Sequence, residues 1–311
     1  MSTNIKVVGT GGAGCNAISR MSFCKIQGVE LIAVNCDAQD LQKTKAHKKL
    51  RIGRNLTRGL GAGMNPEIGR KAAEEQKEEI KGMLTGADMV FITAGLGGGT
   101  GTGAAPLVAE IAKSSRALVV GVVTTPFSFE GSYRQQVAKK GLEILRQKVD
   151  TLLVIPNDKV LAQGDQNTTL LSAFWQCDEV LRQAVQGITD LIILPGIVNV
   201  DFADVKTIMQ DAGQAFFGIG KAKGERRVEQ AANLAINSPL LDFSIKGAKG
   251  ILFNISGGQD LSLSEVNEVA KLITQHSDSR ARVIFGAVHD KRLPKGEIKI
   301  TVIATGFGEN K

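Results

Sequence analysis

The chain has 311 residues, of which 43% are hydrophobic, so it is long enough for two domains with buried cores. Its formal net charge is +7, and seven basic residues fall between Leu41 and Pro66 without an acidic one: Lys43, Lys45, Lys48, Lys49, Arg51, Arg54 and Arg58. One Trp and one Tyr give no aromatic platform for nucleic acid, so this stretch is either a solvated face or a surface that attracts a nucleotide or an acidic partner.

The four cysteines and three histidines lack the spacing of a disulfide framework or a zinc site. No apolar run approaches the ~18 residues of a membrane helix, and the N-terminus has no basic segment before an apolar core. We therefore expect a soluble, cytoplasmic protein with no direct membrane insertion and no nucleic-acid partner.

Two apolar runs near the N-terminus are each followed by residues suited to a ligand. Ile5 to Gly9 predicts a strand that enters Gly9-Thr10-Gly11-Gly12-Ala13-Gly14 and then a helix to Met21. Glycines at this spacing between a strand and a helix are typical of dinucleotide-binding folds, although the pattern alone is not specific. Leu31 to Val34 predicts a second strand, which ends in Asn35-Cys36-Asp37. The polar groups of these residues could contact a ribose or a metal ion bound to phosphate.

The stretch Gly95 to Gly103 contains six glycines in nine residues, between the apolar run Met89 to Thr93 and a predicted helix, Ala104 to Lys113. We do not expect so many glycines for packing; they let backbone N–H groups approach a phosphate at the positive end of a helix. A flexible linker is the alternative, but a linker would be rich in serine. No P-loop lysine motif occurs, so backbone amides, the Thr100 and Thr102 hydroxyls and Mg²⁺ would balance the phosphate charge.

Further strands and helices alternate as far as residue 155. Strands are predicted at Lys49 to Ile52, Ala117 to Val123 and Thr151 to Ile155, with helices from Asn65 to Leu84 and after Gly131. This alternation predicts an α/β fold with a Rossmann-like parallel sheet, covered by helices on both faces. Each glycine-rich loop follows a strand, so we expect these loops to lie together at the edge of the sheet formed by the carboxyl ends of the strands.

Beyond Pro156 the pattern changes to a long helix from about Thr168 to Leu194, predicted by apolar residues at helical spacing. The remaining elements are predicted as helices at Asp204 to Phe216, Glu225 to Asn237 and Ser262 to His276, and strands at Ile251 to Ile255, Arg282 to Val288 and Ile298 to Thr305. We therefore divide the chain into a phosphate-binding α/β domain at 1–167, a central connecting helix at 168–195, and a smaller α+β C-terminal domain at 196–311.

The glycine-rich motifs resemble those of the tubulin and FtsZ family of GTPases. Gly97 to Gly103 reads Gly-Gly-Gly-Thr-Gly-Thr-Gly, which is similar to the signature of that family. Further similar motifs are Gly9 to Asn16, Asn35 to Gln39, Gly59 to Gly69, Ala94 to Pro106, Pro126 to Gly131, Pro156 to Asp158, Gln186 to Ile188 and Asn199 to Val205. The resemblance covers almost the whole chain, although Cys36 stands where the family commonly has Thr.

The resemblance implies GTP or GDP as the ligand, with Mg²⁺ held by the phosphates and no protein-only metal site. The residues that it implies for nucleotide binding are Gly11, Gly12, Asn35, Asp37, Gly98, Gly99, Thr100, Gly101 and Thr102 around the phosphates, Glu130 and Arg134 at the ribose, and Asn16, Phe174 and Asp178 at the base. A carboxylate such as Asp178 can accept from both N1–H and the exocyclic amine of guanine, a donor pair that adenine lacks. Two alternatives stay open: Asp178 as an exposed helix charge and Phe174 as a core residue.

By the same resemblance, Asn199, Asp201 and Asp204 carry the catalysis. A continuous helix from Asp178 to Ile193 rises about 1.5 Å per residue, so these acids begin roughly 20 Å from the base pocket. They would therefore act on the GTP of a neighbouring subunit, in a head-to-tail contact that can propagate into a filament. The alternative is that both acids cap the helix predicted to start near Asp204.

We therefore expect a self-polymerising, assembly-stimulated GTPase of the bacterial division ring, located at mid-cell and partnered by itself and by division proteins. The chain stops at Gly306 to Lys311, without the family's usual C-terminal partner-binding peptide, so that attachment is not implied. Three alternatives remain: a tubulin-superfamily cytoskeletal GTPase with a non-division role, a noncatalytic GTP-binding scaffold, and an NAD-dependent oxidoreductase using Gly9, Gly11 and Gly14.

Overall fold

The computed structural model describes residues 3–162, 168–238, 245–275, 277–290 and 293–307. The chain divides into two compact units, Met1–Thr189 and Asp190–Lys311, and the division falls inside the longest helix. The predicted domain boundary at residue 167, the predicted helix end at His276 and the last four residues lie outside the described residues.

The first unit contains six parallel strands. They are β1 (Ile5–Thr10), β2 (Val29–Asn35), β3 (Lys48–Arg51), β4 (Met89–Gly95), β5 (Leu118–Thr125) and β6 (Thr151–Pro156), in the order β3-β2-β1-β4-β5-β6. Every residue of β1 is buried, as expected for an unbroken apolar run in a sheet covered on both faces. The prediction of a Rossmann-like parallel sheet is confirmed.

The helices of the first unit follow the predicted alternation with two additions and one break. They are α1 (Gly11–Phe23), α2 (Ala38–Lys43), α3 (Pro66–Glu75), α4 (Lys77–Leu84), α5 (Gly99–Ser114), α6 (Ser132–Arg146), α7 (Asn157–Leu161) and the start of α8 (Leu170–Ile193). The single helix predicted from Asn65 to Leu84 is interrupted at Gln76, whose side-chain oxygen accepts a hydrogen bond from the Gly53 backbone N–H at 2.6 Å. Within the described residues no helix is both long and apolar enough to cross a membrane.

The second unit is a smaller α+β fold, as predicted. Its elements are α9 (Phe202–Met209), β7 (Gly213–Gln214), β8 (Phe216–Lys223), α10 (Arg227–Ile236), β9 (Gly250–Gly257), α11 (Leu263–Thr274), β10 (Arg282–His289) and β11 (Glu297–Thr305). Four strands form a mixed sheet in the order β10-β9-β11-β8, in which only the β9 and β10 pair is parallel. Side chains of α10, α11, β9 and β11 build its core.

The helix predicted from Asp204 to Phe216 is wrong at both ends, because α9 covers Phe202–Met209 and β8 begins at Phe216. Two glycines made β8 difficult to recognise, since glycine weakens a strand pattern. A Cβ atom on Gly218 would lie 1.9 Å from the Ala235 carbonyl oxygen, and one on Gly220 would lie 1.8 Å from that of Ala231. Both glycines are therefore required for the close approach of β8 and α10.

The glycine-rich stretch is partly helical, since α5 begins at Gly99 and not at Ala104. A Cβ atom on three of its glycines would lie within 2.8 Å of backbone atoms outside this helix: Gly99, Gly101 and Gly103. The tightest of these contacts is 2.0 Å, between a Cβ on Gly103 and the carbonyl oxygen of Pro66 in α3. The expectation that these glycines do not serve packing is therefore wrong at three positions.

The basic stretch covers the end of α2, the edge strand β3 and the loop that follows, and all seven of its basic side chains are exposed. Lys48 pairs with Glu30 at 2.7 Å, and Arg54 pairs with Glu79 at 2.8 Å. Exposed charges on an edge strand discourage pairing with the strand of another chain. The structure is thus consistent with a solvated basic face.

We expect Gly103→Ala and Gly82→Ala, both inside helices of the first unit, to change stability in opposite directions. A Cβ on Gly103 meets the Pro66 carbonyl, and such overpacking should lower the free energy of unfolding by about 3 kcal/mol. A Cβ on Gly82 meets no atom within 4 Å, so the better helix propensity of Ala should raise it by about 0.5–1 kcal/mol. Urea unfolding of both variants measures the difference; equal effects would contradict the packing role of Gly103.

Candidate functional site

The candidate site lies where the strand order of the parallel sheet reverses, between β1 and β4. In open α/β sheets, ligands bind in the crevice beyond the carboxyl ends of strands at such a reversal. Two helices begin there, α1 at Gly11 and α5 at Gly99, and a Cβ on Gly11 would lie only 2.7 Å from the Gly101 backbone nitrogen. The N–H groups of both first turns lack intrahelical acceptors, so two positive helix ends face one point and favour an anion.

The predicted phosphate-binding glycines differ in what surrounds them. A Cβ on Gly98 would meet no atom within 4 Å, and one on Gly12 would meet only Asp40 Oδ2, at 3.5 Å. The other three are packed closely against backbone atoms: Gly11, Gly99 and Gly101. Open space for a ligand therefore lies beside Gly12 and Gly98, and the remaining glycines can offer only their N–H groups.

The threonines of the glycine-rich segment have protein contacts as well. Thr102 is buried, and its hydroxyl accepts a hydrogen bond from the Gly97 N–H at 2.9 Å, which closes the turn. Thr100 is also buried, and its side chain opposes the increase that burial causes in the pKa of the Cys36 thiol. In contrast, the fully buried hydroxyl of Thr10, directly before Gly11, has no partner among the described residues. A phosphate contact by the Thr100 or Thr102 hydroxyl stays a prediction.

The polar residues after β2 are connected with one another. Asn35 Oδ1 accepts from the Asp37 N–H at 3.3 Å, and Asp37 Oδ1 accepts from the Asp40 N–H at 2.9 Å as the N-cap of α2. Asn35 Nδ2 donates to Asp40 Oδ2 at 2.7 Å. Asp40 was not predicted as a site residue, because α2 has six residues, too few for a helical period, although an acid three positions after an Asp N-cap is a recognisable signal.

Phe174, the predicted base-stacking residue, begins a row of three aromatic rings. Its side chain is 41% exposed, which contradicts the alternative that it is a core residue. The ring packs edge-to-face against buried Phe127, with centroids 5.2 Å apart, and Phe127 stacks on exposed Phe129 at 4.9 Å. The Phe174 ring therefore lies beside the turn that follows β5.

The predicted ribose-binding residues, Glu130 and Arg134, form an ion pair with each other at the start of α6. Glu130 Oε1 also accepts a hydrogen bond from the Phe127 N–H at 2.9 Å. Because both residues follow the carboxyl end of β5, they lie on the ligand-binding rim of the sheet. Their contact with a ribose stays a prediction.

The predicted base-reading residues are on two helices that contact each other, α1 and α8. Arg20 of α1 pairs with Glu179 of α8 at 2.9 Å, and its guanidinium lies 3.5 Å from the ring centroid of Trp175. Exposed Asn16 lies one turn before Arg20. Burial raises the pKa of Asp178 to about 7, although the charge of Arg20 opposes this shift, so Asp178 is not a freely solvated helix charge.

Arg20 was not predicted from the sequence either. It lies four residues after Asn16, so both residues are on one face of α1, and this spacing could have indicated Arg20 as a neighbour of the predicted base site. The partner across that face, Glu179, also binds Arg182 at 2.6 Å, so the Arg20 side chain is held by a carboxylate that is itself ordered.

The three predicted catalytic residues lie together in the second unit, and all are exposed. Asn199 Oδ1 accepts a hydrogen bond from the Gly196 N–H at 2.7 Å. Asp201 is the N-cap residue of α9, and Asp204 Oδ2 accepts from the Asp201 N–H at 3.3 Å. The capping alternative thus has a structural basis, while exposure leaves both carboxylates accessible to another molecule.

Residues 4–165 match the GTPase domain of the Tubulin/FtsZ family, and residues 213–308 match the C-terminal domain of the FtsZ family. The chain belongs to the tubulin/FtsZ family. It therefore has the fold of GTPases that bind GTP and GDP, and this membership replaces the oxidoreductase alternative.

Solved structures of the tubulin/FtsZ family are similar over nearly the whole chain. An empty FtsZ dimer from M. jannaschii is 49% identical, with a TM-score of 0.93 over 98% of this chain and 89% of that chain. A mutant FtsZ from the same organism is also 49% identical, with a TM-score of 0.93 over 98% of this chain and 92% of that one. CetZ2 from Haloferax volcanii, a GTPγS-bound protofilament, is 22% identical, with a TM-score of 0.81 over 99% of this chain and 94% of that chain. This likeness shows the fold alone.

Metal-binding side chains are sparse within the described part of the chain, which contains no group of three or more His, Cys, Asp and Glu residues suited to a metal ion. The Asp40 carboxylate lies at the glycine turn near Gly12, and Asp37 accepts a hydrogen bond from the Asp40 N–H. Carboxylate oxygens fit a Mg²⁺ ion that is shared with nucleotide phosphates.

We expect GTP binding to weaken as the pH falls through 7. A carboxyl group must be ionised to accept from both guanine N–H donors, as predicted for Asp178, and burial raises the pKa of Asp178 to about 7. With this pKa, about 90% of Asp178 is ionised at about pH 8 and about 10% at about pH 6. The Kd for GTP measured by isothermal titration calorimetry should therefore be about tenfold higher at the lower pH.

Asp178→Asn is the control, because it keeps the shape of the side chain and removes its titration. Protonation of the GTP phosphates affects both proteins, so the difference between their pH profiles isolates Asp178. Identical profiles would show that Asp178 does not read the base.

We also expect GTP to change the fluorescence of Trp175. This residue is the single Trp of the chain, 50% exposed, and it lies next to Phe174 with Arg20 over its ring. A base that stacks on Phe174 alters the surroundings of the indole. Titration with GTP should shift or quench the emission, whereas ATP at the same concentration should not; no change with GTP would argue against base binding here.

Proposed function

We propose that the protein is a GTP-binding, self-polymerising GTPase that forms head-to-tail protofilaments of a bacterial division ring. Hydrolysis at each interface is completed by Asn199, Asp201 and Asp204 of the next subunit. The observation that carries the proposal is the separate location of these exposed residues, in the second unit, and of the two touching glycine turns, in the first.

The residues of the first unit have chemistry that suits the binding of GTP. The first-turn N–H groups of α1 and α5 bind the phosphate chain beside Gly12 and Gly98, where space is open. Asp178 reads the guanine edge while Phe174 stacks on the base, and Glu130 and Arg134 contact the ribose. Mg²⁺ at the phosphates supplies positive charge that the protein backbone alone does not provide.

The residues of the second unit have chemistry that suits hydrolysis. Asp201 and Asp204 are exposed at the N-terminus of α9, where two carboxylates can orient a water molecule and accept its proton. Asp178 belongs to the first compact unit and the acidic loop to the second. We assign the acids to a neighbouring subunit's γ-phosphate, as the family resemblance implies.

Assembly follows from a site that two copies share. A contact between the nucleotide face of one copy and the acidic loop of the next is heterologous, so it repeats without closing and forms a filament. The similar FtsZ of M. jannaschii is described as a dimer, and the CetZ2 as a protofilament, which supports self-association of this fold.

The division role, at mid-cell and with other division proteins, is supported by the degree of similarity. Identity is 49% to an FtsZ and 22% to a CetZ, so FtsZ-type sequence features predominate. A cytoskeletal role other than division is the second candidate, because CetZ proteins share the fold over the same length of chain.

We expect Asp201→Asn to bind GTP normally and to hydrolyse it at least 100-fold more slowly, on the order of the contribution of a general base. Asparagine still serves as an N-cap, so α9 should remain stable. The control is Glu225→Gln, which removes an exposed charge of the second unit away from α9. Turnover per molecule of the unmodified protein should rise with protein concentration.

Mixing two inactive variants tests the shared site directly. Asp201→Asn keeps the base pocket, and Asp178→Ala keeps the acidic loop. If neighbouring subunits complete each site, the mixture hydrolyses GTP several times faster than the sum of the two variants alone. A mixture no faster than that sum, together with turnover independent of concentration, would overturn the shared site.

A further inference from the structure

Asp40 lies at the open side of the first glycine turn. In the described part of the chain, its Oδ2 is the one heavy atom beyond the neighbourhood of Gly12 itself that a Cβ on Gly12 would approach within 4 Å, at 3.5 Å. Gly12 is exposed, and it is one of the two glycines with open space for a ligand. A carboxylate is therefore the side chain that borders the space beside this phosphate-binding glycine.

The position of Asp40 is fixed by its neighbours. Its Oδ2 accepts from Asn35 Nδ2 at 2.7 Å, and its backbone N–H is capped by Asp37 Oδ1 at 2.9 Å. A second carboxylate, that of Asp37, therefore lies next to the Asp40 backbone.

A nucleotide phosphate chain next to Gly12 adds more negative charge to this corner of the site. Like charges at such short range lower affinity unless a cation lies between them. Magnesium is commonly held by one or two carboxylates together with substrate phosphates, which is the donor set available here. The cation would thus convert a repulsion between Asp40 and the phosphates into an attraction.

We propose that the Asp40 carboxylate makes tight GTP binding depend on Mg²⁺. The inference rests on the proposed function for the place of GTP, and it adds a residue outside the set implied by the family resemblance. A purely structural role, in which Asp40 only positions Asn35 and α2, is the competing explanation. That role depends on the shape of the side chain and not on its charge.

The experiment compares GTP binding by the unmodified protein and three variants, in EDTA and in millimolar MgCl₂, by calorimetry at about pH 8, where Asp178 is ionised. Asp40→Asn keeps the shape and removes the charge, Asp40→Glu keeps the charge, and Glu143→Gln removes an exposed charge of α6 that makes no hydrogen bond or ion pair with the described residues. Circular dichroism and thermal unfolding without nucleotide verify the fold of each variant. If Asp40→Asn does not fold, Asp40→Ser takes its place.

In EDTA, Asp40→Asn should bind GTP about tenfold more tightly than the unmodified protein, because one close repulsion is removed. Adding MgCl₂ should tighten binding by the unmodified protein, Asp40→Glu and Glu143→Gln about tenfold more than it tightens binding by Asp40→Asn. Equal affinities in EDTA and equal gains from Mg²⁺ would overturn the role of Asp40 alone. If the unmodified protein in MgCl₂ does not bind GTP more tightly than ATP, the result contradicts the proposed function itself, whatever the role of Asp40.

Discussion

The close approach of two backbones, at Gly11 and Gly101, is the constraint on which the site depends. A Cβ on Gly11 would lie 2.7 Å from the Gly101 nitrogen, and Gly11 has φ of 71°, so any side chain is excluded by space and by conformation. Because both positions are glycine, α1 and α5 can begin side by side at the ends of adjacent strands. Their unpaired N–H groups then meet at one point, and an anion-binding site follows from the fold itself.

Much of the fold was predictable because its signals are local. Unbroken apolar runs predicted the parallel strands, and apolar spacing predicted the long helix that the structure has at Leu170–Ile193. Capping residues such as Asn65 and Ser262 marked helix starts correctly. The strand β8 was missed because Gly218 and Gly220 weaken its local sequence pattern. Glycine is required at both positions by the close contact with α10, and this contact exists only in the folded chain.

The site was less predictable than the fold, because hydrogen-bond partners are chosen over a few ångströms in three dimensions. Family motifs indicated which residues gather at the sheet rim, but not that the Thr102 hydroxyl closes its own turn on Gly97. Nor did they indicate Asp40, which the short helix α2 brings beside Gly12. The glycines have two functions that the sequence cannot separate, since Gly103 is required for packing and Gly98 leaves space open.

The two explanations of Asp201 and Asp204 are compatible. A residue at a helix N-terminus gains stability when it is negatively charged, because the helix dipole and the unpaired N–H groups favour an anion there. Asp204 Oδ2 accepts from the Asp201 N–H at 3.3 Å, so the same contact that caps α9 also orients a carboxylate at the exposed surface. The proposed role, to polarise water at an interface between copies, requires carboxylates that are oriented and accessible. Capping supplies the orientation, and the exposed position of α9 in the second unit supplies the access.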